Sequence, residues 1–222
     1  MQNQDYYHTR ASLYKEETRP EDIAKKTNFP SSVQSMGITV SSKLWYAEGA
    51  GYFVSWNGCR TMVMKHKSTI NLFPQNYHYQ FYPIYQALAK WDCSVVVDGE
   101  IVALDNNGKP VYGPPTEWKR LEDGQLHYYI FDLLWLNGYS LKEIPLNMRL
   151  ALLEDFIPLD APIRIAEELT GTFEKVINDG KRRNIREIMQ RNFRSEYTEG
   201  KSGEDWLRCE VDWKSKKNIR LK

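Results

Sequence analysis

The chain has 222 residues, 41% of them hydrophobic and 13% aromatic, enough to fill a substantial core and fold unaided. Thirty basic against 29 acidic side chains leave a formal charge of +1, which gives no global positive field for a nucleic acid. Cys59, Cys93 and Cys209 are widely spaced and odd in number, His8, His66, His78 and His127 lack ligand spacing, and no apolar run approaches a membrane span or a signal peptide, so a cytoplasmic protein without disulfides or membrane contact is expected.

Residues 1–36 are polar and without a sustained period, apart from a short helix where Pro20 precedes Glu21-Asp22-Ile23-Ala24. They read as an arm ahead of one domain over 37–222. Strand signals begin at Lys43. Trp45 to Trp56, Asn57-Gly58 and Cys59 to Lys65 predict a hairpin with a two-residue turn, which places Glu48 on a strand. Phe81 to Ala89 predicts a helix. Val95 to Leu104 is β-branched and apolar enough for a central strand with Asp98 and Glu100 on one side, turning at Asn107-Gly108. A third strand runs from His127 to Leu134 and ends near Asn137-Gly138. Pro145 opens an amphipathic helix through Met148, Leu152 and Phe156, and a last helix spans Thr172 to Asp179 with Gly180 as its stop. Strands and helices are mixed rather than alternating, which predicts an α+β fold.

Several of these segments together resemble one family. Asp98-Gly99-Glu100-Ile101-Val102-Ala103-Leu104-Asp105, the aromatic strand Tyr128 to Gly138 with Arg149-Leu150-Ala151-Leu152-Leu153-Glu154 after it, and Ile188-Met189, Ser195, Tyr197, Gly200 and Asp205-Trp206-Leu207-Arg208 are similar, in order and spacing, to motifs of the ATP-dependent DNA ligase adenylation domain. The resemblance is strongest to the ligase domains of bacterial end-joining enzymes. It implies a nucleotidyltransferase fold, with antiparallel sheets packed with helices around a nucleotide cleft. It also implies ATP and Mg²⁺ as cofactors. The family appends an oligonucleotide-binding barrel after the last motif, for which the sequence leaves no room.

The family's active-site pattern is a lysine, any residue, Asp-Gly, any residue, Arg. Leu44 to Phe53 is similar to that strand with Glu48 at the lysine and Gly51 as the glycine. On this register Tyr46 stands where a glutamate recognises adenine, Arg186 where a glutamate serves the metal, and Arg191 at a lysine. Of the two final phosphate-binding lysines, Arg208 keeps the charge and Glu210 reverses it. Glu100 and Phe131 are retained. Glu100 is the one residual metal candidate, with an ion pair to Arg186 the favoured structural alternative, and Phe131 serves equally well as core.

Glu48 has no amine to attack the α-phosphorus of ATP, and as an anion it repels the triphosphate. At about 4 Å and an effective dielectric near 20, each like-charge pair costs on the order of 4 kcal/mol before relaxation. Lys43 points to the opposite strand face, while Lys65 and Lys67 remain open as displaced nucleophiles. The expectation is a degenerate relative of the ligases with no catalytic residue and no metal site, kept as a binding or scaffold module linked to DNA repair. ATP and Mg²⁺ are disfavoured, and the partner is an unspecified protein or nucleic acid. The alternatives are an active nucleotidyltransferase that uses a displaced lysine or a partner chain, and a nucleic-acid-binding platform.

Overall fold

Two long strands, rich in β-branched and aromatic residues, organise the computed structural model, which describes residues 19–74, 81–108, 110–111, 125–213 and 219–220. The chain opens with helix α1 (Pro20–Ile23) and strands β1 (Lys25–Lys26), β2 (Thr39–Ser41), β3 (Leu44–Trp45), β4 (Ala50–Val54), β5 (Cys59–His66) and β6 (Thr69–Phe73). Helix α2 (Tyr82–Ala89), β7 (Val95–Leu104), β8 (Pro110–Val111), β9 (Gln125–Leu136), β10 (Tyr139–Ser140) and helix α3 (Leu146–Phe156) follow. The remainder is β11 (Ile163–Ile165), helix α4 (Phe173–Arg182), β12 (Glu187–Asn192), β13 (Trp206–Glu210) and β14 (Ile219–Arg220).

The first sheet has the order β1-β10-β9-β7-β5-β6, with β11 parallel to β9 and β8 against β7. The second has the order β2-β13-β12-β4, and β14 pairs with β3 in a short parallel ribbon. The expected α+β class holds.

Alternation along β7 decides which face meets which layer. Val95, Val97, Ile101 and Ala103 enter the main core with Ile84 and Leu88 of α2 and Leu146, Leu150 and Leu153 of α3. Val96, on the other face, joins Met62, Met64, Leu134, Trp135, Tyr197 and Trp206, and this layer faces the second sheet. A separate core under the second sheet gathers Val54, Phe173, Val176, Ile188 and Leu207.

Four expectations change. The segments flanking Asn57-Gly58 do not form a hairpin: β4 pairs with β12 in the second sheet, while β5 pairs with β6 and β7 in the first. Asn57 takes the left-handed backbone that a tight turn needs (φ 52°), but the turn crosses between sheets. The Glu100 carboxylate accepts from the backbone N–H of Trp56 at 3.1 Å and of Gly58 at 3.0 Å, replacing the cross-strand ladder there. A side chain at Gly58 would meet the Ile101 carbonyl at 2.5 Å, so the crossing passes too close to β7 for any other residue.

The second change is at Gly180, which lies inside α4 rather than ending it. Its missing Cβ leaves room for the Trp213 ring, 2.8 Å from where that atom would stand. Third, the part of the arm that is described packs into the fold. Trp135 Nε1 donates to Thr27 Oγ1 at 3.0 Å, Phe29 packs on the His66 ring and meets Trp135 edge-on, and the Met36 N–H donates to Tyr197 Oη at 2.8 Å. Residues 1–18 of the arm lie outside the described residues. Fourth, Phe156 stays 42% exposed, and α3 instead buries Arg149, which is fully enclosed.

Arg149 is buried because it has a counter-charge. Its Nε and Nη2 donate to the two oxygens of Asp132 on β9 at 2.7 and 2.9 Å, and its Nη1 donates to the carbonyls of Ile144 and Ser195. Arg191 Nη2, from β12 in the other sheet, donates to Asp132 Oδ2 at 3.2 Å. All three side chains are at most 1% exposed, so the cluster joins a helix and both sheets in a dry interior. Replacing Asp132 with Ala leaves two guanidinium groups buried with no shared counter-ion. The expected loss is about 3–5 kcal/mol in urea unfolding, against no more than about 0.5 for Asp160→Ala on the surface. A loss under about 1 kcal/mol for Asp132→Ala would remove the cluster from the account of the fold.

Candidate binding cleft

The facing surfaces of the two sheets enclose a cavity lined by six strands and the turn that crosses between them. Phe53 and Val54 come from β4, Ser55 to Gly58 from the crossing turn, Arg60 from β5, Glu100 from β7, Tyr129 and Phe131 from β9, and Met189, Arg191, Trp206 and Arg208 from β12 and β13. Ile38 and Ala166 complete the wall.

Two of the three arginines are already engaged. Arg60 Nε and Nη2 donate to Asp98 at 3.2 and 2.7 Å, and Tyr197 Oη donates to the same carboxylate at 2.7 Å. Burial alone would lower the Arg60 pKa, but the charge and hydrogen bonds of Asp98 outweigh it and hold the guanidinium above its ordinary value. Burial, reinforced by the Asp98 charge, raises Tyr197 well above the phenol range, so its hydroxyl keeps its proton. Arg191 is tied to Asp132 and donates to the Phe131 carbonyl at 2.5 Å, with its guanidinium 4.1 Å from the centre of the Trp206 ring.

Acidic groups lie at the other end. Ser55 Oγ donates to Glu187 Oε2 at 3.2 Å, and the Ser55 N–H donates to the Glu187 carbonyl at 3.1 Å across β4 and β12. Burial raises the Glu100 carboxyl above its ordinary value; the Trp56 and Gly58 amides oppose the shift, Glu187 adds to it, and Arg208 opposes it more weakly.

The residues singled out from sequence divide evenly. Glu100, Phe131, Arg191 and Arg208 meet at this cavity although they come from four strands in two sheets. Tyr46, Glu48, Arg186 and Glu210 do not line it. Glu48 sits exposed in the turn before β4 rather than on a strand, because the Ala50 N–H closes that turn on the Ala47 carbonyl. Tyr46 is 48% exposed and meets Phe173 of α4 edge-on. Arg186 precedes β12 and is exposed, and the expected Glu100–Arg186 ion pair is replaced by the two backbone amides. Glu210 is exposed at the end of β13, across from Glu187.

The cavity also shows where the family pattern falls. Ser55-Trp56-Asn57-Gly58-Cys59-Arg60 fits lysine, any residue, Asp-Gly, any residue, Arg, with the glycine and arginine retained, against the glycine alone in the register on Glu48. On this register Ser55 aligns with the lysine position and Phe53, two places earlier, with the glutamate position. The signal was present in the sequence, but Asn57-Gly58 was absorbed into a hairpin turn. Glu187 was missed because Arg186 took the neighbouring position, and one residue on a strand reverses the face.

The model of the ATP dependent DNA ligase domain matches residues 47–209. The chain belongs to that family. It is 25% identical over 197 residues to the multifunctional non-homologous end joining protein LigD of Mycolicibacterium smegmatis, covering 87% of this chain and 24% of that protein. It is 34% identical over 123 residues to a probable DNA ligase of Saccharopolyspora erythraea, covering 52% of this chain and 24% of that one. The chain thus spans about a quarter of the length of these relatives. Among solved structures, mycobacterial DNA ligase D complexed with ATP and MES superposes with a TM-score of 0.66 at 23% identity, covering 80% of this chain and 60% of that one. The ligase domain of M. tuberculosis LigD gives a TM-score of 0.66 at 22% identity, covering 79% and 58%. The nucleotidyltransferase fold expected from sequence is therefore the one observed.

The raised Glu100 pKa fixes the sign of a pH effect. An acid whose folded pKa lies above its unfolded one favours folding fully below the unfolded value and loses that contribution as pH rises through the folded one. Glu100→Gln keeps an oxygen for one of the two amides and does not titrate. Its melting temperature relative to the parent should therefore climb from pH 4 to pH 7. A flat or falling difference in calorimetry would show that the fold does not raise the Glu100 pKa.

Proposed function

We propose that this ligase-family domain no longer transfers nucleotides and acts as a cytoplasmic binding or scaffold module, linked to DNA repair through its end-joining relatives. The observation that carries the reading is the side-chain chemistry at Ser55. Ligase chemistry needs an uncharged lysine amine that forms a phosphoramidate, with cations absorbing the charge that builds on the phosphates. Among the described residues no lysine lines the cavity. Lys65 donates its ammonium to the carbonyls of Lys67 and Cys93, and Lys43 is exposed, so neither supports the displaced-nucleophile alternative.

The donor set also fits poorly with ATP and Mg²⁺. Glu100 spends its carboxylate on two backbone amides, Glu187 is hydrogen-bonded to Ser55, Arg60 is paired with Asp98, and Arg191 shares Asp132 with Arg149. No catalytic step is derived through either cofactor. Among the described residues no helix is long and apolar enough to cross a membrane. The partner in this reading is a repair protein or a nucleic-acid end.

Incubation with α-labelled ATP and Mg²⁺ or Mn²⁺, followed by denaturation, should leave no label on the protein that survives neutral pH and hydroxylamine. Retained label would overturn the reading. A Ser55→Lys, Phe53→Glu double variant should also stay unlabelled, because the two arginines remain paired. If the reading fails in favour of a nucleic-acid platform, binding to an oligonucleotide will fall steeply with salt.

A further inference from the structure

Resting on that reading of the cleft, we propose that the cavity selects uncharged planar heteroaromatic rings over their phosphorylated forms, with Glu187 as the specificity-determining residue. The walls supply flat apolar surface. The Trp56 and Tyr129 rings lie 5.5 Å apart with 31° between their planes, and Phe131 meets Trp206 edge-on at 5.5 Å. Such surfaces hold a ring by burial and offset stacking and place no demand on its charge.

The charges of the cavity oppose a phosphate tail. Arg60 and Arg191 can turn toward an anion only by giving up their bonds to Asp98 and Asp132, both fully buried, which would leave Asp98 with Tyr197 alone and Asp132 with Arg149 alone. Arg208 is the remaining cation of the lining, and its charge acts on Glu100 together with the opposing charge of Glu187.

Glu187 is placed to act on a phosphate because of its strand register. Met189 and Arg191 on the same face of β12 line the cavity, and the Glu187 carboxylate reaches Ser55 Oγ, which also lines it. The carboxylate therefore reaches the cavity wall at Ser55, the residue aligned with the family's lysine. A ring held against the aromatic walls meets no charge conflict, whereas each phosphoryl group attached to it brings further negative charge toward the Glu187 carboxylate.

The test is titration calorimetry on the full chain at low salt, with adenosine and with ATP in EDTA as probes. Adenosine should bind at least about tenfold more tightly than ATP. Glu187→Gln should narrow that gap severalfold by strengthening ATP while leaving adenosine unchanged, with circular dichroism confirming that the variant folds. ATP binding as tightly as adenosine, no measurable adenosine binding, or a gap indifferent to Glu187→Gln would each overturn the proposal. None of these outcomes places label on the protein, so each leaves the non-catalytic reading standing. Covalent label from α-labelled ATP defeats that reading on its own.

Discussion

Asp132 holds the two sheets at a fixed separation. Its carboxylate takes two hydrogen bonds from Arg149 on α3 and one from Arg191 on β12, so one buried anion connects the helix layer, the first sheet and the second. Buried ion pairs contribute little net stability compared with well-packed apolar groups, because desolvation offsets their attraction. They do make misplacement expensive, since any shift that separates the partners strands a charge in a dry interior. The position of Arg191 against Trp206 follows from this constraint, and with it one wall of the cavity.

The same constraint governs what the cavity offers a ligand. A guanidinium that serves a buried aspartate is a structural cation and has little left for a phosphate. Arg60 repeats the pattern with Asp98, and Tyr197 binds the same carboxylate while anchoring the segment at Met36. Two of the three arginines that line the cavity are thus committed to the scaffold. Most of the main core lies on the opposite face of β7 and β9, packed against α2 and α3, although Phe53 and Ala166 of the cleft wall also belong to it.

Much of the fold was legible because its signals are local and repeated. The Val95 to Leu104 strand, the strand through Tyr128 to Leu134 and the helix behind Pro145 each carry several residues in one period, and the structure has them within a few residues of the expected bounds. The turn at Asn57-Gly58 was misread because its local chemistry suits a hairpin equally well. Its outcome is set by Glu100, more than forty residues away in sequence, which no window reading includes. Gly180 looked like a helix stop because the space it leaves is filled by Trp213, another distant residue. At the site, Glu100, Phe131, Arg191 and Arg208 were legible because they sit in motifs fixed by spacing, whereas Ser55 and Arg60 were hidden inside the misread turn.

Glu100 shows how a ligase-family scaffold can outlast the chemistry proposed to be lost from it. Its carboxylate satisfies two backbone amides of the turn that carries the chain from the second sheet to the first, and the crossing passes close enough to β7 to require glycine at position 58. Two unsatisfied buried amides would each cost on the order of 1–3 kcal/mol, so this residue has a structural role whatever the cleft binds. Retention of Glu100 is therefore weak support for a working site. The side chain at position 55, which supports no comparable part of the fold, is the more informative position about activity.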